Sequence, residues 1–328
     1  MERILVTGAL GQIGSELVPT LRDRYGAEAV VASDVRMPPV GAESPLSGGP
    51  FEYIDCRDLE QIQKVVHDNR IDTIFHLAAL LSAVAEERPQ KAWEVNMGGL
   101  YQVLEVARRT GCAVFTPSSI GAFGEDTPKT ATPQDTLQRP NTMYGVTKVA
   151  GELLCDYYHE RFGVDTRGVR FPGIISYVAP PGGGTTDYAV DIFHHALRYG
   201  RYTCFLRADS RLDMMYMPDA VKAAVDVMEA DPSRLVHRNA FNVTAMNFTP
   251  AELAVALRRH LAEGGSDFEI DYEVDPVRQR IADSWPESLD DSAARVEWGW
   301  RPSYDLDAMV SDMLEQLGRR LGAAASSR

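Results

Sequence analysis

The sequence predicts an α/β protein, a doubly wound parallel sheet with a smaller, interleaved C-terminal lobe. Three observations carry that prediction. An apolar run with β-formers, Arg3-Ile4-Leu5-Val6, leads straight into the glycine turn Thr7-Gly8-Ala9-Leu10-Gly11-Gln12-Ile13-Gly14, and Ile13, Leu17 and Leu21 then recur at helical spacing. Short apolar runs alternate with amphipathic stretches to about residue 170, a β-α-β-α order that places helices on both faces of a parallel sheet. The chain of 328 residues, 45% hydrophobic and 24% charged, is long enough for one large domain with a lobe. The expected division assigns 1–170 plus about 213–243 to the sheet domain, and about 171–212 plus 244–328 to the substrate-binding lobe.

The first strand, turn and helix make a Rossmann-type dinucleotide site. Gly8, Gly11 and Gly14 let backbone approach a pyrophosphate, and the helix read from Ile13 to Arg24, directly after Gln12, offers free N–H groups and a positive dipole end. The next strand, Ala29–Ser33, ends at Asp34, twenty residues after Gly14. An acid there accepts hydrogen bonds from adenosine ribose hydroxyls and repels a 2′-phosphate, which selects NAD over NADP, although Arg36 close by softens that preference. Pro38 to Pro50 reads as a loop. The strand Phe51–Asp55 follows, with Asp55 placed either to face the adenine amino group or to sit solvated. Leu59 to Asn69 is amphipathic, and Asp72–Ala79 is a buried-strand pattern whose end, Leu77, Ala78 and Ala79, lines the cofactor edge. His76 in that strand has no assigned role. Ser82 lies just beyond, where substrate loops begin in open α/β sheets.

Trp93 to Arg109 reads as a long helix carrying Asn96 near its start, and Ala113–Thr116 as a strand with Pro117-Ser118-Ser119 at its carboxyl end, where ligands bind in parallel sheets. Tyr144 and Lys148 follow at i and i+4, one turn apart on one helical face. An unperturbed phenol titrates near ~10, and a neighbouring ammonium favours the phenolate, so this pair can serve as a general base for alcohol oxidation. The bland alternative is a packed tyrosine and a solvated lysine. A Ser119 hydroxyl beside the phenol can hold the substrate oxygen.

Further along, Val169–Ser176 is a strand leading into the lobe, and Pro180–Ala189 carries three glycines and two threonines before a helix. Gly184, Thr185 and Thr186 either form an anion site from backbone and hydroxyl groups or make a glycine-rich turn with Thr186 as N-cap. Asp219 reads as a helix-terminal hydrogen-bonding residue, Thr249-Pro250-Ala251-Glu252 as a capping pattern, Glu273 to Asp291 as charged and irregular, and Leu306 to Leu321 as a final helix. The tail from Ala323 to Arg328 reads as loose.

Composition narrows the function classes. A net charge of −14 argues against a nucleic-acid or anionic-membrane surface. No apolar stretch approaches the ~20 residues of a membrane span. Cys56, Cys112, Cys155 and Cys204 are widely spaced without a metal or disulfide pattern, which reads as buried free thiols, no metal site and a cytoplasmic setting.

Together, Thr7–Gly14, Asp34, Leu77–Ala79, Asn96, Ser118-Ser119 and Tyr144-x-x-x-Lys148 resemble the extended short-chain dehydrogenase/reductases, the superfamily of the UDP-galactose epimerase-like enzymes. The resemblance implies Tyr144 as general base, Lys148 as holder of the nicotinamide ribose and depressor of the Tyr144 pKa, and Ser119 as the group orienting the substrate hydroxyl. It makes Asn96 a support of the active-site strand and of a proton-relay water. Gly-Gly-Gly-Thr-Thr-Asp-Tyr-Ala at 182–189, with Ser118–Gly124, Arg170–Ser176 (including Pro172, at the cofactor), Met214–Ala220 and Phe248-Thr249-Pro250, resembles the short-chain L-threonine 3-dehydrogenases. That family implies metal-independent, NAD-linked oxidation of L-threonine to 2-amino-3-ketobutyrate; for so small a zwitterion, Thr186 with backbone N–H groups near Gly184 and Thr185 is placed to hold the carboxylate, and Ser82 to assist at the ammonium or the carboxylate. It also implies a homodimer paired through helices 93–109 and 144–161. Two competing classes share part of the pattern. A nucleotide-sugar epimerase or dehydratase shares every motif through Lys148 but needs basic and aromatic contacts in the second half. A dinucleotide-sensing regulator shares only the glycine turn and has no use for Ser119, Tyr144 and Lys148 together.

Overall fold

The computed structural model describes residues 1–38, 46–178 and 184–326, with side chains to residue 321. Most of the Pro38–Pro50 loop, Gly182 and Gly183 of the glycine run, and the end of the C-terminal tail lie outside the described residues. In chain order the first seven strands are β1 (Ile4–Thr7), β2 (Val30–Asp34), β3 (Phe51–Tyr53), β4 (Thr73–His76), β5 (Ala113–Phe115), β6 (Ser118–Ser119) and β7 (Thr166–Arg167). The rest are β8 (Val169–Phe171), β9 (Gly173–Ile175), β10 (Arg201–Cys204), β11 (Leu212–Tyr216), β12 (Phe241–Asn242), β13 (Met246–Phe248) and β14 (Glu269–Tyr272).

Six strands make the central sheet in the order β3-β2-β1-β4-β5-β7, all parallel. Successive side chains of a strand point to opposite faces, and both faces here are apolar. Ile4, Val6, Val30, Ala32 and Phe75 pack on one side with helix Gly14–Tyr25. Leu5, Val31, Ile74 and Val114 pack on the other with helices Leu59–Asp68 and Gly99–Thr110. Such strands read as continuous apolar runs because neither face meets water. The predicted doubly wound parallel sheet is therefore the observed one. Beyond it, β6, β8 and β12 form a parallel trio, β9, β11 and β13 a mixed one, and β10 pairs with β14. A third apolar cluster joins residues around these outer strands to helices Tyr188–Tyr199, Pro250–Glu263 and the last helix. Ala294 and Trp300, although late in the chain, pack into the first cluster under the sheet.

Local signals set most boundaries. Helix Met143–Phe162, which carries Tyr144 and Lys148, starts where Thr142 Oγ1 accepts from Gly145 N at 3.1 Å and ends at left-handed Gly163. The capping box at Thr249 forms in both directions, 2.9 and 3.2 Å. Asp219 accepts from Ser303 N and Tyr304 N. All four cysteines are buried free thiols. Among the described residues no helix is long and apolar enough to cross a membrane.

Three local features differ from expectation. The helix expected over 93–109 is Pro89–Trp93, a π-helical turn over Glu94–Gly98, and Gly99–Thr110; the widened turn carries Asn96, which is buried. The stretch read as irregular, 273–291, holds the helix Pro276–Ser284, whose N-cap Asp275 accepts from Val277 N and Arg278 N. The turn at Thr185–Asp187 is closed by the Asp187 carboxylate accepting from Gly184 N at 2.7 Å, so Thr186 is not its cap.

Candidate active site

The sheet's strand order reverses around β1, which pairs with β2 on one side and β4 on the other. Crevices at such switch points, outside the carboxyl ends of the strands, are where ligands bind. Gly8 sits there with φ +71°, and a Cβ on it would lie 2.7 Å from Ala78 N, so only glycine permits the close passage of the two loops. A Cβ on Gly14 would meet Gly8 O at 2.6 Å, which lets the helix N-terminus close onto the turn. The cleft alongside has a volume of about 580 Å³ and is lined by Gly8, Gly11, Asp34, Asp55, Leu77, Ala78 and Ala79 among others.

Asp34 is buried, and its carboxylate accepts from Leu10 N at 3.1 Å and from Arg36 N and Nε at 3.1 and 3.2 Å. Asp34 thus ties the glycine turn to the end of β2, and Arg36 is held against it. Asp55 is paired with Arg57, whose guanidinium keeps the carboxyl below its usual range. These residues fit a dinucleotide: a turn without Cβ atoms at its closest approach, a helix N-terminus behind it, and an acid at the second strand's end.

A second cavity, about 170 Å³, opens from the same Leu77 and Ala79. Gln12, Ile13, Ser82, Ser119, Tyr144, Lys148, Pro172, Gly184, Thr185 and Thr186 all line it. Residues from six separate stretches of sequence therefore converge here. Ser119 Oγ accepts from Gly121 N at 3.1 Å, and a Cβ on Gly121 would be 3.3 Å from the Tyr144 ring and 3.5 Å from Ser119 Oγ, so the hydroxyl and the phenol share one corner. Lys148 Nζ donates to Pro117 O at 2.7 Å and lies 5.3 Å from the Tyr144 ring centroid. Gly8, Gly11, Gly14, Asp34, Asp55 and Ala78 are not among this cavity's walls.

Asn96 lines neither space. Its amide donates to Leu80 O and Thr147 Oγ1, both at 3.1 Å, and its carbonyl accepts from Leu80 N at 2.8 Å, so it clamps the loop after β4 to the helix of Tyr144. Behind Ser119, Ser118 donates to the buried Glu152, which also binds Arg170 at 2.8 Å and Gln138 at 2.8 Å.

The cavity also has walls that the sequence reading did not nominate, Asp187 and Trp285. Asp187 stands in the Gly-Thr-Thr-Asp run itself. Trp285 follows helix Pro276–Ser284, whose Asp-Pro start was the available signal.

The sheet order and glycine turn define the class, a dinucleotide-binding enzyme with a Rossmann-type domain. The chain belongs to the NAD dependent epimerase/dehydratase family, whose model matches residues 4–244. It is similar to a Staphylococcus saprophyticus protein described as an uncharacterized epimerase/dehydratase, 55% identical over 317 residues covering 97% of each chain. Among solved structures it is similar to the L-threonine dehydrogenase of Clostridium difficile, 57% identical with a TM-score of 0.93 over 98% of each chain. It is also similar to the GalE-like L-threonine dehydrogenase of Cupriavidus necator in its holo form, 49% identical with a TM-score of 0.90, covering 96% of this chain and 99% of that one.

Proposed function

We propose that the protein oxidises L-threonine at its 3-hydroxyl with NAD, giving 2-amino-3-ketobutyrate. The observation that carries this reading is the single cavity of about 170 Å³ in which Ser119, Tyr144 and Lys148 face Ser82 and the Gly184–Thr186 turn. Its hydroxyl and backbone walls suit a small zwitterionic amino acid better than a nucleotide sugar. Lys148 is its one cationic wall among the described residues, which leaves no basic pair for a diphosphate. The similarity to threonine dehydrogenases at 49 and 57% identity supports the same substrate.

In this reading the carboxylate is held by the hydroxyls of Thr186 and Ser82 and by the backbone N–H groups of Thr185 and Thr186, since that of Gly184 is taken by Asp187. Ser119 holds the substrate hydroxyl against Tyr144, which takes its proton, and Lys148 favours the phenolate. NAD, bound in the adjoining cleft, supplies the oxidising equivalent by accepting hydride from C3. Gly8, Gly11, Gln12, Ile13 and Gly14 hold its pyrophosphate, Asp34 its adenosine ribose and Lys148 its nicotinamide ribose, with Asp55, Leu77, Ala78, Ala79 and Pro172 along its length. No metal takes part. Two of the three large apolar clusters support a division into a dinucleotide part and a substrate lobe that closes over the bound amino acid. The exposed Tyr101, Leu153, Tyr157 and Phe162 on helices Gly99–Thr110 and Met143–Phe162 support a homodimer through those helices.

The test is NADH formation from L-threonine and NAD in the presence of EDTA, with UDP-galactose, UDP-glucose and NADP alongside. Threonine-dependent NADH that survives the chelator is the expected result. Turnover of a nucleotide sugar without threonine activity overturns it.

A further inference from the structure

Behind the catalytic corner, between the sheet and helix Met143–Phe162, lies a small chamber of about 40 Å³. Its polar walls include His76 from β4, Asn96 from the π turn, Ser118, and Thr147, Lys148 and Glu152 from the helix. Most of these groups already have partners. Both amide hydrogens of Asn96 go to Leu80 and Thr147 and its Oδ1 accepts from Leu80, Thr147 donates to Tyr144 O at 2.8 Å, and Ser118 donates to Glu152. His76 is different. Its ring is buried, Nδ1 meets Thr7 Oγ1 at 2.8 Å, and Nε2 has no hydrogen-bond partner among the described residues. Buried polar atoms are rarely left so. Lys148 Nζ, on the same chamber, has three donors and directs one to Pro117 O.

We infer that the chamber holds an ordered water that accepts from Lys148 Nζ and donates to His76 Nε2, which makes His76 a positioning residue for the Lys148 ammonium. The space is sufficient, since one water needs roughly 10–15 Å³ and at least two polar partners. The charge arrangement also selects the imidazole form. A cation on the Nε2 side favours a bare, accepting Nε2 with the proton on Nδ1, donated to Thr7 Oγ1. Burial and the Lys148 charge both act against protonation of His76 and hold it down to about 3, so the ring stays neutral at any working pH. Held between Pro117 O and this water, the ammonium stays one turn below the phenol of Tyr144. The other ionisable groups near it are Glu152, already tied to Arg170, and the buried Cys155, whose thiol is pushed well above its usual value by burial.

This role rests on the reading of Tyr144 as base, and the experiment separates the two. In His76→Leu the water loses its acceptor and the ammonium is freed. The acidic limb of the kcat/KM profile should then move up by about one pH unit, the lower end of what a nearby opposite charge contributes. His76→Gln, whose amide oxygen can accept, should bring the limb back toward wild type. Two readouts on the wild-type NAD complex need neither a variant nor turnover. A high-resolution crystal structure should show a water within hydrogen-bond distance of both nitrogens, and ¹⁵N NMR should show Nε2 unprotonated. A dry chamber, a protonated Nε2, or a His76→Leu profile superimposable on wild type overturns the inference. Failure of the wild type to oxidise threonine overturns the proposed substrate alone, and the water and tautomer still decide this one.

Discussion

Tyr144 and Thr186 line the same cavity but are asked to do different things. The phenol is proposed to act on the proton leaving the substrate, so its removal strikes the transition state and not the ground state. Tyr144→Phe should lower kcat by ~10²–10⁴-fold, the range for a lost general base, while NAD affinity measured by fluorescence titration stays near wild type. Near-normal turnover in that variant would remove Tyr144 from the mechanism. Thr186 is proposed to bind a carboxylate that does not change during reaction, so its loss weakens substrate and transition state together. Thr186→Ala should raise the Michaelis constant for threonine by ~10-fold, a hydrogen bond to a charged group contributing about 1.5–3 kcal/mol, with little change in kcat. An unchanged constant would return Thr186 to a packing role against Gly173, where a Cβ would stand 2.7 Å from its methyl group.

At the scale of elements, the parts legible in the sequence are those governed by local physics. Strands β1, β2, β4 and β5 are apolar along their middles because both faces are covered, and the glycine turn declares its helix because Gly8 and Gly14 tolerate contacts that a Cβ would forbid. The less legible parts depend on partners far away in the chain. Nothing in the pattern around Asn96 distinguishes a π turn from an α turn, since the widening is set by packing. Helix Pro276–Ser284 is dominated by polar residues and hides its short buried face, although Asp275-Pro276 marks its start. Glu152 and Arg170 each look like surface charges until helix Met143–Phe162 and β8 bring them together, 5 and 6% exposed, with Gln134 O and Asn242 Oδ1 completing the guanidinium's contacts. Removing one member of such a pair leaves a buried charge uncompensated. Glu152→Ala should therefore destabilise the fold by about 3–5 kcal/mol in urea denaturation, with Glu152→Gln costing less because it keeps hydrogen bonds to Ser118 and Arg170. A variant as stable as wild type would show that Arg170 is satisfied without it.

Across the whole molecule, two of the three large apolar clusters share β11. Met215 points into the one under the central sheet, while Leu212, Met214 and Tyr216 point into the other, as the period of two requires. Glu16 adds a polar tie across the same junction. It stands in the first turn of the dinucleotide helix and accepts from Ser176, directly after β9, whose Gly173 and Ile174 line the substrate cavity. Tyr177, Arg320 and, further off, Tyr216 with its partner Asp312 are ionisable groups around it, and Arg24, Lys222 and Asp226 line a cavity with it. Burial raises Glu16 to about 7 against an ordinary 4.5, and the Ser176 hydrogen bond and Arg320 only partly oppose that shift. The folded carboxyl therefore holds its proton more tightly than the unfolded one. Its stabilising contribution is complete below pH 4.5 and is lost as pH rises through about 7. Asp213, raised by burial to about 6, acts with the same sign over a lower range. Thermal midpoints should accordingly fall between about pH 4 and 7, and Glu16→Gln, which keeps an acceptor for Ser176 without the charge, should remove the upper part of that fall and leave the lower part to Asp213. Midpoints of wild type and variant that run parallel across this window would show that Glu16 ionises in the fold as freely as it does in the open chain.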